Sequence, residues 1–236
     1  MYIFYTIIFF ICLEIVYEIL RMLYYGVHSR RQTKSITRFS RESLGDNEKP
    51  LGNILCIGDS VMYGSGASKR EYTLAAHIAK MFPQHALYNE SVLGMKTKEM
   101  YRHAKKYEHI PLDYVFIFCG GMDILHFSSL SETVKNIREV CTLLEKNTKH
   151  IYYITTPDVG KAPIFFFLFS YVYSLRSRIL HDMIYAQLHI MRGVKVHIID
   201  IIKKEDTLKS AFYSKDKSHP NDTGYTIWAS IIKQQL

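Results

Sequence analysis

Residues 54–60 read Ile54-Leu55-Cys56-Ile57-Gly58-Asp59-Ser60. An apolar run of strand length stops at a glycine and turns polar at once, the pattern of a buried strand meeting a loop. The same grammar recurs down the chain. Residues 54–58, 86–90, 114–119, 151–155 and 194–200 read as strands. Longer segments with helical spacing lie between and after them: 71–82, 97–107, 131–146, a long one within 165–191, and 223–233. In 71–82 the residues Leu74, Ala75, Ile78 and Met81 share one face. Strands alternating with helices imply parallel pairing through crossover connections, hence an α/β sandwich.

Ligands of such sheets bind beyond the carboxyl ends of the strands, so the residues after each strand carry the functional signal. Asp59-Ser60-Val61 follows the first strand and Ser91-Val92-Leu93-Gly94 the second. Gly120-Gly121-Met122-Asp123 follows the third, and Asp216-Lys217-Ser218-His219-Pro220-Asn221 comes after the fifth. A serine nucleophile needs a base to take its proton and a third group to orient that base. Ser60 sits where a strand becomes a loop. Pro220 holds His219 out of the helical region. Asp216, three residues earlier, is spaced to fold its carboxylate back onto the imidazole. A serine after a strand is common, and a lone histidine near a helix start is usually a cap or surface group. It is the joint placement at one sheet edge that points to a nucleophile–base–acid set.

Gly58-Asp59-Ser60, then Gly94, then Gly120-Gly121-Met122-Asp123-Ile124-Leu125, then Asp216-x-x-His219-Pro220-Asn221-Asp222-Thr223-Gly224-Tyr225 resemble the four blocks of the SGNH (GDSL) hydrolases, in order, from about residue 52 onward. The resemblance implies a three-layer α/β/α flavodoxin-like fold with a five-stranded parallel sheet, and ester hydrolysis through an acyl-serine intermediate. It makes Ser60 the nucleophile, His219 the base and Asp216 its orienting acid. The backbone amides of Ser60 and Gly94 become oxyanion donors. One block departs from the pattern, because Met122 stands where the family carries an asparagine as a third donor. A thioether donates no hydrogen bond, and one lost donor typically costs roughly 10²–10³ in kcat. Slow turnover, a substitute donor such as Asn89 or Asn221, or a binding module on a hydrolase fold all follow from that change.

Residues 1–26 read MYIFYTIIFFICLEIVYEILRMLYYG, and the first 13 carry no charge. As a helix the stretch is about 37 Å long at ~1.5 Å per residue, enough to cross roughly 30 Å of hydrocarbon. The stretch lacks the basic start and small-residue cleavage site of a secretory signal peptide. A buried core helix and an interfacial helix are the other readings, the latter because Glu14, Glu18 and Arg21 fall on one stripe. Arg21, Arg30, Arg31, Lys34, Arg38 and Arg41 all follow the apolar run. A one-sided basic flank predicts a single-pass anchor with the remainder cytoplasmic. The organisation expected is therefore a membrane-anchor helix at 1–26, a basic linker at 27–50 and an SGNH hydrolase-like domain at 51–236.

The formal charge of +8 invites an anionic partner. The cations are dispersed and carry no nucleic-acid fold signature, so a membrane surface is the expected partner and nucleic acid is not. Residues 58–66, Gly-Asp-Ser-Val-Met-Tyr-Gly-Ser-Gly, lack the ending of a phosphate-binding loop; Gly64 and Gly66 read instead as turn residues beside the nucleophile. The 4 cysteines and 11 histidines show no ligand spacing, so no metal and no cofactor is expected. Asp59 and Asp123 read as loop braces, Asp158 and Asp200 as lesser candidates for the orienting acid. The aromatic run 163–173 follows the fourth strand. Phe165, Phe166 and Phe169 are accordingly candidates for an acyl pocket or membrane contact, with Arg176 and Arg178 placed to meet lipid phosphates. The expected substrate is an acyl ester, first a lipid or lysophospholipid-like one and second a carbohydrate O-acetyl ester.

Overall fold

The computed structural model describes residues 2–33, 36–43, 49–190, 195–201 and 210–236. Strand β1 (Gly52–Gly58) is second from one edge of the sheet, with β2 (His85–Asn89) on one side and β3 (Leu112–Phe118) on the other. β4 (Thr148–Ile154) and β5 (Val196–Ile199) continue outward from β3, all in parallel. The order 2-1-3-4-5 is the flavodoxin-like one, whose ligand crevice opens where β1 and β3 diverge toward opposite edges.

Period-two alternation explains the three layers. Leu55, Ile57, Val115, Ile117, Ile151 and Tyr153 face one core, and Ile54, Cys56, Phe116, Phe118, Tyr152 and Ile154 face the other. The first face is covered by α4 (Thr97–Ala104), α6 (Leu130–Leu144) and α7 (Phe167–Ile190). The second is covered by α3 (Leu74–Met81) and α8 (Asp222–Lys233), with Trp228 stacked on Phe118 at 5.7 Å. Removing a fully buried strand side chain such as Leu55 would cost about 2–5 kcal/mol.

Element ends differ from the sequence expectation where capping decides. The helix expected at 71–82 begins only at Leu74, because the Thr73 side chain accepts from the Ala76 N–H; residues Arg70–Tyr72 form a 3-10 turn instead. α4 stops at Ala104 and continues as a 3-10 turn over Lys105–Tyr107. Val194, expected to open the fifth strand, lies outside the described residues.

The N-terminal helix α1 (Tyr2–Thr33) runs past Gly26 by seven residues. Residues 36–43 then lie against the domain. Ile36 is buried with the α3/α8 core, and Arg41 bridges Leu87 of β2 through two backbone hydrogen bonds. The Arg41 guanidinium donates to the carbonyls of Ala79, Phe82 and His85, and Arg38 donates to Ser91 O. Two cations of the basic flank are thus bound to the domain surface, while Arg31 is exposed and Lys34 lies outside the described residues.

Candidate active site

The serine comes from the end of β1. Gly58 has no room for a side chain, since a Cβ would sit 2.2 Å from Phe118 O and 2.8 Å from Met62 Cβ. The chain therefore turns tightly there, and Asp59 caps the one-turn helix α2 (Ser60–Tyr63) by accepting from Val61 N at 3.0 Å. Gly64 ends that turn at φ 109°, a left-handed conformation suited to glycine. From behind, the Tyr225 hydroxyl of α8 donates to Ser65 O and Val61 O. Ser60 Oγ is left 2.8 Å from His219 Nε2.

The histidine is held by a tightly bonded loop. Asp216 is 1% exposed. Its Oδ2 lies 2.6 Å from His219 Nδ1, and its Oδ1 accepts from Ser214 Oγ, Ser218 N and His219 N. Burial alone would raise the Asp216 pKa. The hydrogen bonds and charge of His219, with those of Ser214 and the backbone, outweigh it and hold the carboxyl well below its ordinary range. Lys217 supplies the reversal between acid and base at φ 61°, and its carbonyl accepts from Ile164 N. Gly66 brings the two loops together: at φ 93°, a Cβ there would lie 2.3 Å from Pro220 O and 2.9 Å from His219 Cβ.

Gly94, at φ 73°, and Met122 face each other across the opening beside Ser60, with 3.8 Å between a Cβ built on Gly94 and Met122 Cε. Met122 belongs to α5 (Gly121–Leu125), which opens the end of β3. Neither asparagine considered as a substitute donor reaches this opening. The Asn89 amide donates to Phe39 O and Met62 O, and that of Asn221 to Ala211 O and Tyr213 O.

The remaining acids are braces. Asp123 accepts from the Thr97 N–H and hydroxyl, tying α4 to α5. Asp158 caps the turn at Gly160, and Asp200 accepts from the Tyr185 hydroxyl. Asp59 is buried beside Ser60, and burial pushes its carboxyl up to about 6. Among the described residues no cluster of three or more His, Cys, Asp or Glu side chains forms a metal site.

Ser60, Gly94, Met122, His219 and Phe165 all line one cavity of about 860 Å³. Phe166 and Phe169 do not. Phe166 lies outside it beneath the Arg21 guanidinium, and Phe169 packs on Tyr173. Arg176 donates to Ile124 O and Ser128 O and sits over Phe127 rather than standing free. Sequence reasoning did not find that α1 and the segment after it supply part of the cavity wall, through Gly26, Ser29, Ile36 and Thr37. Nor did it find Ser214, whose spacing of two before Asp216 is the available signal, since serine hydroxyls often close such short polar turns.

Similar solved structures share this architecture. A member of the lipolytic protein G-D-S-L family from Veillonella parvula superimposes with a TM-score of 0.64 at 16% identity, over 77% of this chain and 96% of its own. A GDSL-like lipase from Bacteroides thetaiotaomicron gives 0.57 at 15% identity, over 78% and 86%. An acetylxylan esterase, Axe2, from Geobacillus stearothermophilus gives 0.54 at 17% identity, over 80% and 96%. No curated protein matches this chain in sequence. The model of the GDSL-like Lipase/Acylhydrolase family, however, matches residues 56–227, from β1 into α8 and across every strand of the sheet, and the chain belongs to that family.

Proposed function

We propose that this protein is a membrane-anchored serine esterase acting on an acyl ester, first of all that of a lipid. The observation that carries the reading is the continuous relay Ser60 Oγ, His219 Nε2 and Nδ1, Asp216 Oδ2, with links of 2.8 and 2.6 Å, opening into a largely apolar cavity. His219 takes the Ser60 proton as Oγ attacks the ester carbonyl carbon. Asp216 holds the Nδ1–H and stabilises the imidazolium that forms. The tetrahedral oxyanion is met by the Ser60 and Gly94 backbone amides. Collapse expels the alcohol, which leaves with the proton held by His219. Water, deprotonated by His219, then attacks the acyl-serine, and a second collapse releases the carboxylic acid.

Met122 leaves the oxyanion without the third donor of the family pattern, so this enzyme is expected to be slower than one bearing asparagine there. The similarity of fold to an acetylxylan esterase gives a carbohydrate O-acetyl ester as the second substrate reading. The anchor reading is supported by α1, whose segment Tyr2–Ser29 contains an 18-residue stretch with a mean hydropathy of 2.2 and is long enough to cross a bilayer. The basic flank favours a cytoplasmic domain.

Hydrolysis of p-nitrophenyl esters of increasing chain length, compared between the wild type and Ser60→Ala, tests the enzyme. Chain-length-dependent turnover lost in Ser60→Ala is expected. Equal release by both proteins would refute a serine mechanism, and ligand binding without any turnover would make the protein a binding module.

A further inference from the structure

Glu18 is an acid in the middle of an apolar helix, yet it is only 2% exposed. Its carboxylate accepts from Phe166 N at 2.5 Å and Phe169 N at 3.2 Å, so it occupies the N-terminus of α7. One turn further along α1, Arg21 donates to Pro163 O at 2.5 Å and lies over the Phe166 ring. An acid at a helix N-terminus satisfies free N–H groups and opposes the positive end of the dipole. The two contacts on successive turns fix both the rotation and the height of α1 against the loop that begins at Pro163.

The surroundings of this latch are apolar and open. Residues 2–13 of α1 are exposed on every side. On α7, Phe167 is 76% and Tyr171 66% exposed, and Phe166, Leu168 and Leu175 continue the same patch. Exposed apolar area of this extent beside an apolar helix calls for a cover. Helix geometry supplies the depth. Tyr2 and Arg21 are about 29 Å apart along the axis at ~1.5 Å per residue, one hydrocarbon thickness of roughly 30 Å. Gly26 and Ser29, which line the cavity, fall about 8 and 12 Å beyond that level. The headgroup layer extends roughly 5–8 Å past the hydrocarbon, so Gly26 stands at its outer face and Ser29 just above it.

We infer that α1 is a rigid mount that seats the cavity at the outer face of the headgroup layer, with the α7 aromatic patch immersed beneath it, and that the substrate is a glycerolipid ester drawn from the bilayer along that patch into the cavity. This rests on the serine-esterase reading for its chemistry and on the Glu18–Arg21 contacts for its geometry. The occupant of the patch is lipid, because the patch is continuous with the helix that itself requires lipid. Phe165 joins the two, belonging to the cavity wall and preceding the exposed Phe166 and Phe167.

The test uses the full chain in phosphatidylcholine–phosphatidylglycerol vesicles. Turnover of a vesicle-resident diacylglycerolipid is compared with that of a soluble short-chain p-nitrophenyl ester. Glu18→Ala is expected to lower the lipid-to-soluble rate ratio by about 10-fold or more while soluble turnover stays within about 2-fold. Glu18→Gln, which keeps an acceptor oxygen, should recover most of the ratio. A second readout needs no chemistry. With Cys12→Ser removing the exposed thiol and the other cysteines buried, Phe167→Cys carries a fluorophore, which nitroxide lipids should quench and aqueous iodide should not. An unchanged ratio in Glu18→Ala, loss of both activities together, or iodide quenching of the label would each overturn the mount. If no ester is turned over by the wild type, the esterase reading fails, and the label alone still decides the seat on the bilayer.

Discussion

Gly66→Ala perturbs the contact that joins the nucleophile loop to the histidine loop. The new methyl would start 2.3 Å from Pro220 O, 2.9 Å from His219 Cβ and 3.2 Å from Ser214 Cβ. Pro220 O is backbone, so the clash is not relieved by rotating a side chain. Bringing the Cβ–O distance to about 3 Å requires the loops to part by roughly 0.7 Å. If that displacement falls along the Ser60–His219 vector, the 2.8 Å hydrogen bond becomes about 3.5 Å, beyond useful range. A misplacement of this size typically costs about 10² in rate. Alanine at φ 93° adds about 1–2 kcal/mol of backbone strain, or a drop in Tm of roughly 2–8 °C for a chain of this length. The assay is steady-state hydrolysis of a soluble p-nitrophenyl ester beside a thermal melt, with KM expected to change less than kcat. A Gly66→Ala protein with wild-type kcat would refute the idea that this approach sets the nucleophile–base distance.

Asp216→Asn should lower kcat by about 10²–10⁴, because the amide no longer fixes the imidazole tautomer; wild-type turnover in that variant would remove Asp216 from the relay. Met122→Asn should raise kcat by up to ~10²-fold with little change in KM if its amide reaches the oxyanion, and a folded variant with lower kcat would make Met122 part of the acyl pocket. Burial raises Asp59 to about 6 from an ordinary value near 3.8. The folded state therefore binds a proton more tightly than the unfolded, and stability falls as pH rises from about 4 to 6, by roughly 3 kcal/mol at most. Asp59→Asn keeps an acceptor for Val61 N while removing the charge, so its melting curve should be flatter than the wild type across that window; parallel curves would exclude Asp59 as the source.

The central strands were legible because the carboxyl-terminal halves of β1, β3 and β4 are buried on both faces, which leaves an unbroken apolar run such as Val115–Phe118 in the sequence. Helix ends were less so. The start of α3 depends on Thr73 accepting from Ala76 N, which opens the helix three residues after the expected Glu71. Asp216 and His219 could be paired from sequence because the acid–base contact is local, three residues apart. Ser60 could be joined to them only through the shared sheet edge and the family pattern. The contacts that escaped are those between distant segments with no periodic mark. Glu18 reads as a blemish in an apolar helix until Phe166 and Phe169 are placed against it. Gly66 reads as a turn residue until Pro220 appears beside it. Likewise, the cations after α1 read as a lipid-facing cluster, yet the Arg41 side chain is held by three carbonyls of the α3–β2 corner.

The pairing of Arg41 with Leu87 also has a bearing on solubility. β2 is an outermost strand, and its outward N–H and C=O groups are the kind that recruit a foreign strand. Residues 36–43 occupy that margin like a selvedge, with Arg41 closing both hydrogen bonds of Leu87 and the Phe39 ring tucked beneath Arg70. A fragment trimmed at residue 50 to shed the greasy leader would therefore also strip this hem. It would gain water compatibility at one end and acquire a sticky seam at the other, whereas a cut placed just before Ile36 would leave the seam sewn.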